Sequence, residues 1–214
     1  EYMSEYNKKA KKIQVGYVGH KSELCRSPST VDVDLDLEVD VEKDFNGLFD
    51  IIILKDVIEH IHDQAKLIGW MKNFLKPEGI VFFGFPPWYM PFGGHQQICK
   101  SKISKLPYIH LLPKFMYRGI LKNRKENVAE MMEIRETGIS IERFERICKE
   151  EGYSIPHHRH YLLNPIYEWK FGWKPKRQGL LIKAIPFVRN FLTTCVYYII
   201  QPNNYKHYFQ RHNR

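Results

Sequence analysis

Hydrophobic and polar positions are most sharply ordered between Phe49 and His95. Asp50-Ile51-Ile52-Ile53-Leu54 is a short apolar run without alternation, the pattern of a parallel strand buried on both faces, and it is expected to be central in its sheet. After Lys55 and Asp56 break the run, Val57, Ile58, Ile61, Leu67, Ile68, Met71 and Phe74 recur near helical spacing and predict one or two helical segments, ended by Pro77 and Gly79. Ile80-Val81-Phe82-Phe83-Gly84-Phe85 reads as a second strand, which Pro86-Pro87 stops because proline cannot donate to a central ladder. Two parallel strands with a helical crossover form a right-handed unit. Ligands of such sheets sit outside the carboxyl ends of the strands, so residues 54–56 and 86–95 are expected to share one crevice.

Further along, Leu106 to Glu136 is helix-prone with breaks at Pro107 and Pro113. Ile141 to Glu151 predicts a helix, with Ser140 as its cap and Gly152 as its stop. Tyr153 to Ile155 and His160 to Leu163 predict strands, and the intervening His157-His158-Arg159-His160 could suggest metal. Val31 to Asp40 alternates strictly between apolar and acidic residues, which predicts a strand with one carboxylate face; the glycine and closing glutamate of an EF-hand loop are missing. Leu180 to Ile200 is largely apolar but carries Lys183, Arg189 and Asn190 and is interrupted by Pro186, so it predicts a helix packed across the sheet rather than a membrane span. Gln201 to Arg214 is polar and is expected to fray.

Charge changes this picture in the second half. The chain of 214 residues carries a formal net charge of +9. Residues 1–98 hold 11 Lys/Arg against 15 Asp/Glu and residues 99–214 hold 22 against 9. No nucleic-acid motif accompanies the basic half, so a solvated surface is the first expectation and a nucleic-acid partner is disfavoured. Aromatic and basic residues around Trp169, Phe171, Trp173, Lys174, Lys176, Arg177, Tyr197 and Tyr198 are compatible with docking on a membrane surface or a partner. Cys25, Cys99, Cys148 and Cys195 are scattered without a C-x-x-C, which argues against a zinc ribbon or disulfide framework and for a reducing cytoplasm.

FDIIILKDVIEHI, then LKPEG opening a strand, then a proline-bearing loop closing on GGH, resembles the middle third of a class I S-adenosylmethionine-dependent methyltransferase. It is similar to small bacterial enzymes whose fourth strand runs into a D-V-x-E-H helix start, and TGISIERFERICKEEGYSI resembles the family's later helix, glycine and strand. The resemblance covers roughly residues 1–165 and implies a Rossmann-like α/β sheet with helices on both faces. It further implies a helical lid or acceptor insertion at about 99–137, a closing antiparallel hairpin with His157-His158-Arg159-His160 as the basic loop at its turn, and a basic, aromatic C-terminal extension at 166–214. The family's glycine-rich turn is not visible: Val15-Gly16-Tyr17-Val18-Gly19-His20 lies too close to Asp50 to be that loop. Glu1 to Lys12 instead reads as the helix after strand two and Ile13 to Val18 as strand three, so an N-terminally incomplete domain is the expectation, with Asp50 to Leu54 then an exposed edge prone to association.

The resemblance implies S-adenosylmethionine as cofactor, held partly by Leu54, Lys55 and Asp56. The acceptor is then a small molecule or a lipid-linked intermediate methylated on oxygen or nitrogen, with a non-catalytic binding domain as the other reading. Methyl transfer is an in-line displacement that needs an aligned nucleophile and, for a hydroxyl, removal of its proton, which suits His95 after Gly93-Gly94, glycines that allow close backbone approach and mobility. Pro87, Trp88, Tyr89, Met90, Phe92 and Gly94 of the same loop would wall an apolar acceptor pocket. Asp56, Glu59, His60, His62 and Asp63 crowd together in the manner of metal ligands. The favoured reading gives Asp56 a capping role and Glu59 and His60 places in the first helical turn, with no metal. A cytoplasmic protein, with peripheral membrane contact through its C-terminal part, and able to form oligomers, is expected.

Overall fold

The computed structural model describes residues 45–203. The expectations for the N-terminal helix and strand three, for the acidic alternating strand and for the polar tail from 204 onward lie outside the described residues. The described strands form a five-stranded sheet from β1 (Phe49–Lys55), β2 (Leu75–Phe85), β3 (Tyr153–Leu163), β4 (Lys176–Arg177) and β5 (Cys195–Pro202), in the order β1-β2-β5-β3-β4. β1 and β2 are parallel, from Ile51 opposite Ile80 to Lys55 opposite Gly84. β5 runs antiparallel between β2 and β3, and every pairing beyond it is antiparallel.

The crossover is built as the hydrophobic spacing predicts, but in three short pieces: a tight turn at Ile58–His60, α1 (Gln64–Trp70) and a second tight turn at Met71–Phe74. Asp56 does not cap it. Asp63 does, accepting from the Lys66 backbone N–H at 2.9 Å. The expected stop at Pro77 and Gly79 comes earlier, at Leu75, because the LKPEG segment already lies in β2, where the register against β1 shifts. A proline tolerates such an irregular place at a strand start. Among the described residues β1 closes one end of the sheet, where a central place was expected.

α2 (Lys114–Asn123), α3 (Val128–Thr137) and α4 (Ile141–Glu150) follow the loop after β2. Ser140 caps α4 through Arg143 N–H at 3.1 Å, and Gly152, with φ +69°, ends it as expected. Leu67, Ile68 and Met71 of the crossover and Ile141, Phe144, Ile147 and Cys148 of α4 pack on Leu54, Val81, Phe83, Phe85, Val196, Tyr198 and Ile200 to form the main core. The alternate residues Ile51, Ile80 and Ile199, with Ile53 and Phe82, make a smaller cluster on the opposite face, to which no described helix contributes a residue. A mixed sheet with helices packed on it is the α/β, Rossmann-like architecture that was expected. A third cluster, with Cys99, Ile109, Tyr117, Leu121, Met131 and Ile134, gives the insertion after β2 a core of its own.

Two expectations fail for one reason. Tyr153 to Leu163 is a single strand with a register irregularity between Ser154 and His157, so the histidine-rich tract is not a turn. Its partner is not a hairpin neighbour but β5, from the region read as an extension with a packed helix. Cys195-Val196-Tyr197-Tyr198-Ile199-Ile200 is β-branched and aromatic, a composition that fits a pleated, half-buried surface better than a helix. The sheet thus continues past residue 165, and the segment between carries only α5 (Ile166–Phe171), β4, α6 (Leu180–Lys183) and α7 (Val188–Phe191).

Burial of the histidine tract has a titration consequence. His160 is 3 % exposed and hydrogen-bonds through Nε2 to the Tyr198 hydroxyl at 3.1 Å; burial first, then the Arg189 charge, pushes its pKa down to about 3. The unfolded chain takes up the proton near pH 6.5 and the folded one does not, so stability present above that pH declines as pH falls toward 3. A chemical-denaturation series should show wild type losing about 1–2 kcal/mol from this group between pH 7 and pH 5, and His160→Gln losing correspondingly less. Parallel curves for the two proteins would count against a buried neutral imidazole.

Candidate active site at the strand ends

β1 and β2 end side by side, and their following loops meet. Beyond Lys55 the backbone turns sharply: Asp56 has φ +55°, and its N–H donates to the Gly84 carbonyl at 2.7 Å, which fixes the exit of β1 against β2. An aspartate tolerates this left-handed conformation better than most residues. Lys55 Nζ bonds the Asp56 carboxylate at 2.7 Å, and both side chains remain more than two-fifths exposed. Leu54 is buried in the main core, so only its backbone borders the crevice.

The loop after β2 is held by its own backbone. Trp88 N–H donates to Ile139 O at 2.8 Å, and Trp88 O accepts from His110 at 2.8 Å. Gly93 lies so close to the Trp88 carbonyl that a Cβ would stand 2.1 Å from it, and a Cβ on Gly94 would stand 2.5 Å from His110. These glycines are therefore required by close packing, the close backbone approach that the sequence suggested. Gln96, fully buried, donates to Pro91 O at 2.8 Å and meets His110 Nδ1 at 3.0 Å. Of the expected pocket wall, Pro87 and Gly94 are buried in the loop and Trp88 packs edge-on to His110 and against the insertion core. Tyr89 is partly exposed and stacks near Phe191 with ring centroids 5.6 Å apart, and Phe92 is half-buried.

This scaffold delivers His95 to the end of β1. His95 has φ +52° and is half-buried, and its ring meets that of His60 edge-on at 5.0 Å. Burial, then the proximity of His60, lowers its pKa to about 4, so its imidazole is neutral at ordinary pH. Glu59 lies beneath, 4 % exposed, and neither of its carboxylate oxygens has a hydrogen-bond partner. Desolvation pushes its pKa up to about 8, with the charge of Asp56 adding to the effect. Gln64, which donates to Thr137 O at 2.6 Å and Ile58 O at 3.2 Å, ties this turn to α3. His62 and Asp63 take no part: the first pairs with Glu133 at the surface and the second caps α1.

Sequence reasoning identified His95 and Asp56 but read Glu59 as an ordinary first-turn acid. The signal that could have set it apart is the D-V-x-E-H spacing, which in a tight turn sends the Glu59 side chain inward while Asp56 and His60 stay at the surface.

Against known proteins, the family profile described as Methyltransferase domain matches residues 8–155, more than half of the chain. No curated protein matches it in sequence. Similar solved structures include the plantazolicin methyltransferase BamL, at 8% identity and TM-score 0.47, covering 93% of this chain and 72% of that one. A SAM-dependent methyltransferase from Thermotoga maritima has 11% identity and TM-score 0.42, and covers 80% of this chain. One from Mesorhizobium loti has 12% identity and TM-score 0.40, covering 80% of this chain and 68% of that one. The present chain spans 62% of the length of the Thermotoga protein. By its family match, this chain belongs to the methyltransferase-domain family, the class I methyltransferases whose cofactor is S-adenosylmethionine.

Proposed function

We propose that the crevice at the ends of β1 and β2 serves methyl transfer from S-adenosylmethionine to an oxygen, or in second place a nitrogen, of a small-molecule or lipid-linked acceptor. The observation that carries this is the convergence of His95, a neutral and half-buried imidazole, with the end of the strand that bears Asp56. The chemistry of the donor set fits the cofactor: Asp56 is an exposed carboxylate suited to hydroxyl and ammonium donors, with Lys55 paired to it. Backbone at Leu54 and Lys55 and the Asp56 carboxylate would hold it, and when bound it supplies an electrophilic methyl group.

The chain's own contribution is position, dryness and a proton site. His95, fixed by the Gly93-Gly94 packing, accepts a hydrogen bond from the acceptor hydroxyl at an imidazole nitrogen and takes its proton as the oxygen attacks. A base with so depressed a pKa is a weak one, so orientation carries more of its effect than basicity does. Tyr89 and Phe92 present apolar surface to the acceptor, and Pro87, Trp88 and Gly94 hold that surface in place. Incubating the protein with methyl-labelled cofactor and matched panels of hydroxyl and amine acceptors tests the assignment. Label on hydroxyl acceptors supports it, and label confined to amines displaces oxygen as the target.

For a lipid-linked acceptor, support comes from the surface between β3 and β5. Trp169 is 83 % exposed, Leu180 82 % and Leu181 85 %, with Phe171, Trp173 and Phe187 also exposed, and Lys170, Lys174, Lys176 and Arg177 stand among them. Exposed apolar residues interspersed along the chain with basic ones suit the boundary of an anionic bilayer. Among the described residues no helix is long and apolar enough to cross a membrane. Co-sedimentation should capture the protein on phosphatidylglycerol vesicles and less on phosphatidylcholine, and Leu180→Glu with Leu181→Glu should release it. Equal sedimentation of wild type and the double variant would remove the membrane from this account.

A further inference from the structure

The proton-accepting role of His95 leaves Glu59 unexplained. A carboxyl group buried without any hydrogen-bond partner is costly whether or not it carries a proton, so its oxygens call for a partner. Among the described residues no lysine or arginine approaches either oxygen as a hydrogen-bond donor. What stands beside it is a pair of imidazoles: one ligand atom from each of Glu59, His60 and His95 lies within 4.8 Å of the others.

We propose that Glu59, His60 and His95 form a binding site for one divalent first-row metal ion, of the zinc or manganese class. A carboxylate and two imidazoles are the donor types such ions take, and a three-ligand set leaves coordination positions open. The three residues come from two segments, the tight turn after β1 and the loop after β2. Each is held from outside the cluster, the first by the Gln64 bonds to Ile58 and Thr137 and the second by Gly93 and Gly94 packed on Trp88 and His110. Such support fixes ligand orientation before an ion arrives. His60 is exposed, so the ion would reach the site from the crevice and present its open positions there.

On the methyl-transfer reading, on which this step rests, an acceptor hydroxyl occupies an open position and is acidified by the ion, a task that His95 alone performs poorly. The hydroxyl proton then passes to solvent, the oxygen–methyl bond forms as the sulfur–methyl bond breaks, and the sulfur keeps the bonding electron pair. His95 becomes a ligand and no longer the proton acceptor. Asp56 stays with Lys55 beside the site, its charge favouring a cation there.

Metal binding is measurable without cofactor or acceptor. Chelator-treated protein is titrated with Zn2+ and, separately, Mn2+ by calorimetry, and Co2+ binding is followed by its visible absorption. One ion per chain is expected, with Glu59→Gln and His95→Ala each weakening binding at least tenfold and His158→Ala, in the distant histidine tract, leaving it unchanged. Circular dichroism confirms that each variant is folded; His95→Ala, in a half-buried loop position, decides the matter if Glu59→Gln does not fold. Absence of stoichiometric binding, or binding that survives His95→Ala but falls with His158→Ala, overturns the site. Because activity is not read, a failure of methyl transfer would count against the previous section and not against this one.

Discussion

His95→Ala should lower the rate of methyl transfer by about 10²–10⁴-fold while changing the affinity for S-adenosylmethionine about twofold or less. The residue belongs to the loop after β2 and not to the strand end proposed to hold the cofactor, and its ring meets that of His60 edge-on, so its loss should appear in turnover. Whether His95 acts as proton acceptor or as metal ligand, alanine removes the group that prepares the attacking oxygen. The two roles separate under added metal: excess Zn2+ or Mn2+ partly restores a ligand variant and does nothing for a missing base. His62→Ala is the fitting control, since His62 pairs with Glu133 at the surface and takes no part in the cluster of Glu59, His60 and His95. Single-turnover rates for His95→Ala within about threefold of wild type would take His95 out of the chemistry.

The second large effect concerns stability. Arg189→Ala should cost about 3 kcal/mol, read as a shift of the urea midpoint at constant slope. Arg189 is only 13% exposed and bonds Glu142 at 2.8 Å and Glu145, both on α4. Glu142 also accepts from Asn190 and from the Phe187 backbone N–H, Glu145 accepts from the Tyr198 hydroxyl at 2.7 Å, and Asn190 Oδ1 accepts from Ile141 N–H at 2.9 Å. Removing the guanidinium strands two carboxylates in a poorly solvated place, where burial opposes their charge. Because Tyr198 also meets His160, the loss should propagate to β5, and Arg189→Ala combined with Tyr198→Phe should be less than additive. A change below about 0.5 kcal/mol would mean that the network is effectively a surface one.

Legibility in the sequence followed how local each determinant is. Ile51 to Leu54, the crossover, Ile80 to Phe85 and the Ser140-capped helix declare themselves through runs, spacing and caps within a dozen or so residues, and they are where the periodicity placed them. β5 did not, because Cys195 to Ile200 is continuously apolar and short enough to suit either helix or strand; its place between β2 and β3 depends on partners more than a hundred residues from it along the chain in one case. The histidine tract read as a loop because His158 and His160 find their partner only in Tyr198 of that unforeseen strand. At the site, His95 and Asp56 were visible as loop residues at strand ends. The inward turn of Glu59 was not, since it follows from a tight turn taken where a longer helix was expected.

The central claim is that the end of β1 forms part of the S-adenosylmethionine site. Titration calorimetry of the cofactor into wild type and Asp56→Asn tests it most directly, because asparagine keeps the left-handed turn at φ +55° and removes only the charge. The account predicts one-to-one binding that weakens about tenfold in the variant. Identical isotherms for the two proteins, or no saturable binding in wild type, would contradict it.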